Sequence, residues 1–206
     1  MGLSSWWAVG ALSDEEVAEI ASVAGPKIKE MGESASARDA WSRWERDAVR
    51  GGGAVPLWRP GGYNTDEALH LYDMVNASAF DALDDLCELH VMAWWERFDE
   101  DVEPFITAVR KDNPVAALFH GLGPQRARVL PGWAGDAVLT AAEVRDRLAA
   151  VEAVLALSGG ERERVLGRID DWPGDKEAVD LLDQPLRVWR EVAAAGLGLL
   201  TCRIWF

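Results

Sequence analysis

Both ends of this chain alternate. At the start Leu3, Ser5, Trp7 and Val9 interleave with Ser4, Trp6 and Ala8; at the finish Leu200, Cys202, Ile204 and Phe206 interleave with Leu199, Thr201, Arg203 and Trp205. A period of two sends successive side chains to opposite faces of a strand. Between the ends, apolar residues recur instead every three or four positions, as on a helix. Strands confined to the two ends satisfy their backbone groups most simply by pairing with each other. The expected fold is therefore α+β: predominantly helical, with the N- and C-terminal strands in one small sheet packed against helices.

The helices announce themselves by their ends. Ser13-Asp-Glu-Glu16 is a capping box, Val17, Ile20 and Ala24 form the inner face behind it, and Gly25-Pro26 is expected to stop the helix. Residues 34–50 read as a second helix with Trp41 and Trp44 on one face. Gly51-Gly-Gly53, Pro56 and Pro60-Gly-Gly62 make the longest irregular stretch. A helix then begins near Asn64 or Thr65, with Asp66 and Glu67 in its first turn. Phe80, Leu83, Cys87, Val91, Trp94 and Phe98 step at helical spacing, predicting an amphipathic helix with acids on its other face. Asn113-Pro114 opens a second irregular section, which runs through Gly123-Pro124 and Pro131-Gly132 and contains the locally basic Gln125-Arg-Ala-Arg128. Thr140-Ala-Ala-Glu143 is another capping box, followed by the stripe Val144, Leu148, Val151 and Leu155. A short helix over 161–170 and a last one from about Pro185 to Gly196 complete the series.

With 49% hydrophobic and 27% charged residues over 206 positions, a single domain spanning 1–206 is expected. The start runs into Asp14, Glu15 and Glu16 without a basic segment, and no apolar run approaches the roughly 20 residues of a membrane span, which points to a cytoplasmic protein without membrane contact. Cys87 and Cys202 read as reduced thiols. The net charge of −14 is unevenly spread: residues 64–103 hold twelve acids against the single base Arg97, a balance of −11. Such a surface repels nucleic acid and anionic lipid and attracts a basic protein.

Several motifs fail on mechanism. Leu157-Ser-Gly-Gly-Glu-Arg resembles the signature of ABC-type ATPases, with Leu181-Leu-Asp-Gln-Pro185 downstream, but no Gly-Lys pair exists to cradle phosphates. The Ser-Gly-Gly turn is expected to cap a helix instead. Among the three histidines, Cys87 with His90, and His70 with Asp66 and Asp73, have helical spacing without the further ligands of a closed zinc site, so no metal and no cofactor are expected. Asp99-Glu-Asp-Val-Glu103 lacks the glycine and terminal glutamate of a calcium loop.

Eleven tryptophans are several times the usual number, and in Trp6-Trp7 and Trp94-Trp95 adjacent rings cannot both point inward. The start of the chain with its strand and Ser13-Asp-Glu-Glu16, the Val138-Leu-Thr-Ala-Ala-Glu-Val144 helix start, and the closing Leu186-x-x-Trp189-Arg190, Gly196 and Leu199-Leu-Thr201 resemble the YfbM-like family of bacterial proteins of unknown function. The resemblance implies an α+β fold with the terminal strands in one sheet and supplies no catalytic residues. Residues 34–130 depart from its pattern.

No cluster dictates a reaction. The first functional expectation is a non-catalytic binding or regulatory protein whose acidic helical face, 64–103, meets a basic partner through Asp81, Asp84, Asp85, Glu88, Trp95 and Asp99. The alternative is a small-molecule-binding or hydrolytic enzyme with a site near the 51–63 loop, lined by Trp58, Arg59, Tyr63, His70 and His90. A homodimer that buries surplus tryptophans is a third.

Overall fold

The computed structural model describes residues 4–50, 58–59, 62–63, 65–81, 96–110 and 112–205. Strand β1 (Ser4–Leu12) is followed by α1 (Asp14–Glu33) and α2 (Ala35–Arg50), then by the two-residue strands β2 (Trp58–Arg59) and β3 (Gly62–Tyr63). Next come α3 (Asp66–Asn76), β4 (Phe105–Arg110), α4 (Pro114–Leu122), the single turn α5 (Pro124–Ala127) and β5 (Ala137–Leu139). Helices α6 (Ala141–Leu155), α7 (Gly159–Asp171) and α8 (Ala178–Ala195) lead to the closing strand β6 (Gly198–Trp205).

The terminal strands pair as their alternation requires. In one antiparallel sheet of order β4-β1-β6-β5, β1 and β6 are the inner strands, with Trp7 opposite Arg203 and Leu12 opposite Gly198. β2 and β3 form a separate small hairpin. The period of two divides the core between the sheet's faces. Trp7, Val9, Ala11 and Leu199 join one apolar cluster with residues from α2, α3, α4, α6, α7 and α8. Ala8, Leu12, Leu200, Cys202 and Ile204 join another with Val17, Ile20, Ala24 and Ile28 of α1 and with Phe80 and Phe98. Both faces are therefore covered.

Both capping boxes form: the Ser13 and Thr140 side chains accept from Glu16 N–H and Glu143 N–H, and each glutamate reaches back to its cap. Three readings of the prolines change. Pro26 lies inside α1 because the buried stripe continues to Ile28 beyond it. Pro185 lies inside α8, whose buried stripe already includes Ala178, Leu181 and Leu182, so tertiary burial outweighs the hydrogen bond a proline removes. Asn113-Pro114 opens a helix, α4: Asn113 accepts from the Val115 and Ala116 amides, Pro114 fills a first-turn position, and all nine residues are buried. Ser158 occupies the cap position of α7 without a side-chain capping bond.

At its described ends the expected helix over 80–98 is not helical. Phe80 and Phe98 lie in turns and meet in the cluster beside α1. Residues 82–95 lie outside the described residues.

One polar tie crosses the core. Arg203 on β6 and Asp136 beside β5 are both fully buried and paired at 2.8 Å. Asp136 accepts from Arg203 N and Nε, Ser78 Oγ and Ala79 N as well. The Arg203 guanidinium also donates to the carbonyls of Val75 and Ala77, so it fastens the end of α3 to the sheet.

Candidate functional site

A recess lies where α1, α2 and the segment 127–139 meet. Its position follows from a joint. Ser34 sits between α1 and α2, accepting from Ala37 N–H and donating to the Met31 carbonyl, so the chain turns within one residue and the helices form two walls. The third wall is fixed to the sheet: Trp7 Nε1 and Thr201 Oγ1 both donate to the Gly135 carbonyl, and Trp133 and Asp136 exchange backbone hydrogen bonds. That wall is tight. Gly132 (φ 80°) approaches the Asp136 carbonyl so closely that a Cβ would stand 1.9 Å from its oxygen. Ala134, which lines the recess, has φ 50°, an uncommon value outside glycine of the kind that concentrates at functional sites.

The recess has a volume of about 950 Å³ and an aromatic floor. Trp41 lies 5.1 Å from Trp44, 6.1 Å from Trp133 and 6.4 Å from Phe119, measured between ring centres, and Trp44 stacks on Phe119. Arg128 places its guanidinium 5.3 Å from the Trp41 ring centre, a cation–π contact. Lys29, Arg38 and Arg147 also line the recess, against Glu33 and Glu143, and neither Lys29 nor Arg147 meets a carboxylate among the described residues. In a chain of net charge −14 this is a cation-rich place. Trp41 is 8% exposed, and its Nε1 has no acceptor; Trp44 Nε1 is likewise without one. Buried indole N–H groups ordinarily find a partner, so these two donors, buried beneath the recess, stand out.

A smaller cleft of about 410 Å³ adjoins this recess, sharing Ala37 and Trp133 with it. It holds His70, the one expected pocket residue whose side chain is described. His70 Nδ1 lies 2.7 Å from Asp47 Oδ2, and Arg43, Asp73, Ser34 and Ser36 line the same cleft. Trp58 and Arg59 pair in register with Tyr63 and Gly62 in the hairpin, but their side chains, like His90, lie outside the described residues.

A second titratable group sits deeper and lines none of the described cavities. Glu67 accepts from Arg168 at 2.9 Å and pairs with His120 Nδ1 at 3.2 Å; the His120 ring packs on Trp172, whose Nε1 donates to Asp112 at 2.7 Å. Burial alone pushes the Glu67 carboxyl up, but the hydrogen bond and charge of His120 and the Arg168 guanidinium outweigh it and hold the group below the ordinary carboxylate value. Nearby, burial pulls the Lys176 ammonium down against the pull of Asp112 and Asp170. This cluster joins α3, α4 and α7 and reads as internal scaffolding.

The acidic stretch is less uniform than its composition. Glu67 is buried, whereas Asp66, Asp73, Asp81, Glu96, Glu100, Asp101 and Glu103 are exposed. Asp81 accepts from Ser78 N–H, and Asp99 lies in a turn and accepts from Asp101 N–H. Asp84, Asp85, Glu88 and Trp95 lie outside the described residues. The recess itself went unforeseen, although its pieces were visible as Trp41, Trp44 and the basic Gln125-Arg-Ala-Arg128. Among the described residues no three His, Cys, Asp or Glu side chains gather to hold a metal ion, and no helix is long and apolar enough to cross a membrane.

Fold and recess together describe an α+β protein with a four-stranded antiparallel sheet and an aromatic, cation-rimmed groove at one sheet edge. Comparison with protein-family models, with curated proteins and with solved structures finds no match.

Proposed function

We propose that this is a non-catalytic binding protein whose groove takes a small planar ligand bearing an acidic group. The observation that carries the reading is the pairing of aromatic surface with positive charge in the groove: Trp41, Trp133 and Phe119 line it together with Lys29, Arg147 and Arg128, whose guanidinium lies over the Trp41 ring. Trp133, half-buried, offers a stacking face, and Lys29 and Arg147 offer uncommitted positive charge. Apolar floor and few polar anchors are the usual make-up of a small-molecule site.

The test is a titration of 2-naphthoate into the ¹⁵N-labelled protein, with 2-naphthol as the neutral control. The indole N–H resonances of Trp41 and Trp133 move on addition of the carboxylate, and the neutral analogue binds about tenfold more weakly, the effect of one lost charged contact of about 1.4 kcal/mol. Unmoved indole resonances with both compounds refute the reading.

A second reading keeps the acidic stretch as a surface for a basic protein. It draws on the seven exposed acids named above and on Arg97, whose charge is already engaged by Glu19. Association that is fast at low salt and falls steeply as salt rises is its signature, and salt-independent binding contradicts it. Membership of the YfbM-like family remains a proposal supported by the motifs at the two chain ends.

A further inference from the structure

We propose that the free edge of β4 is a docking strand for an extended, basic peptide segment of a partner protein. β4 is outermost in the sheet, and its ladder is to β1 alone. In an antiparallel strand alternate residues turn their N–H and C=O groups away from the neighbour. Among the described residues, none of the outward groups of Phe105–Arg110 meets a backbone or side-chain partner. Edges of this kind are usually blunted by proline, a bulge or an inward charge. Phe-Ile-Thr-Ala-Val-Arg has no internal proline, and its register with β1 runs unbroken from Phe105 to Arg110.

A cleft of about 520 Å³ runs beside this edge. Phe105, Ile106 and Thr107 line it together, although consecutive side chains of a strand point to opposite faces, so the cleft follows the strand's margin. Three extended residues span roughly 10 Å, enough to seat a short β-segment. The facing wall is acidic: Asp175, Glu177 and Asp180 line it and are exposed. Lys176 is the only base in the lining, and its ammonium is turned back onto the carbonyls of Trp172 and Gly174. A strand added to β4 gains main-chain hydrogen bonds from the edge and charge pairing from the wall, the division of labour seen in strand-addition recognition. A second copy of this chain is the wrong occupant, because edge-to-edge pairing brings two such acidic walls together in a protein of net charge −14.

This surface is separate from the groove, which borders the opposite edge strand β5. The experiment uses a fluorescein-labelled peptide of alternating lysine and valine, read by anisotropy against the full-length protein. Two control peptides accompany it: one interrupted by prolines and one with glutamate in place of lysine. The Lys–Val peptide binds, and its affinity falls at least about tenfold in the triple variant Asp175→Lys, Glu177→Lys, Asp180→Lys, while the naphthoate titration of the groove stays as in the parent. The proline-interrupted peptide loses binding, because it cannot donate to the edge. Slowed amide exchange at β4 on adding the Lys–Val peptide places the contact. Equal binding of the proline-interrupted peptide, an unchanged affinity in the triple variant, or no binding at all each overturns the proposal. Protein that sediments as a dimer, with that dimer lost on β4 substitution, also overturns it in favour of self-pairing.

Discussion

Asp136→Ala removes a buried carboxylate that serves five donors: three on Arg203, one on Ser78 and the Ala79 amide. The Arg203 guanidinium then stays in the core, fully buried, held only by the carbonyls of Val75 and Ala77. Breaking one half of a buried ion pair costs about 3–5 kcal/mol. The amides of Arg203 and Ala79 lose their acceptor as well, and unpaired buried donors cost about 1–3 kcal/mol each. Taking the low end of each contribution, a loss of about 5 kcal/mol is expected, against a whole stability of about 5–15 kcal/mol. The corresponding fall in Tm is roughly 10–20 °C for a chain of this size. Urea unfolding followed by tryptophan fluorescence measures it as a lowered midpoint at constant slope. The double variant Asp136→Ala, Arg203→Met separates ion pairing from packing. It removes the stranded charge and is more stable than Asp136→Ala alone, but it stays below the parent because the backbone amides of Ala79 and residue 203 are left without the Asp136 acceptor. A loss below about 1 kcal/mol in the single variant, or a double variant as costly as the two singles summed, refutes the tie as described.

Three further outcomes follow from the geometry. The Glu67 carboxyl lies below its ordinary value in the folded state, so it stabilises fully at neutral pH and the contribution is lost as pH falls through the folded value; Glu67→Gln lowers stability at pH 7 by about 1.5–3 kcal/mol and flattens the acid limb of a stability–pH curve. Gly132→Ala and Gly123→Ala both put a side chain at positive φ, but only Gly132 faces a carbonyl at contact distance, whereas Gly123 has nothing within 4 Å. Calorimetry should show Gly123→Ala costing about 1–2 kcal/mol and Gly132→Ala clearly more. Thr140→Ala removes one half of the capping box and costs about 1 kcal/mol in the same assay, with Ser13→Ala a matched comparison at the start of α1.

How far the sequence reached depended on whether a signal was local. The terminal strands were legible because a period of two at each end, with both faces of the sheet buried, leaves little choice of partner. The caps at Ser13, Thr65 and Thr140 were legible because a side chain three residues from an amide is a local event. Helix α4 was misread because its residues are apolar all round, so no stripe marks it, although Asn113-Pro114 carried the start signal. Pro26 and Pro185 were misread because the burial that retains them in helices comes from distant elements. β4 offered only a short β-branched run. Of the candidate site, Trp41, Trp44 and Arg128 were noticed separately, but nothing in their spacing shows that Trp133 and Phe119 arrive beside Trp41. Glu67 looked like one more solvated acid until its partners on α4 and α7 came from far along the chain.

The pairing of β1 with β6 also sets a schedule. Trp7 cannot meet Arg203 until nearly all of the intervening chain exists, so during synthesis at typical rates β1 waits roughly 10–40 s for its partner. Throughout that interval the apolar faces of β1, which both end up buried, are sheltered by elements that precede β6, among them α1, β4, α4 and α8. Release of β6 returns the sheet to that open state. β6, which joins β1 to β5, thus acts as the latch of the sheet.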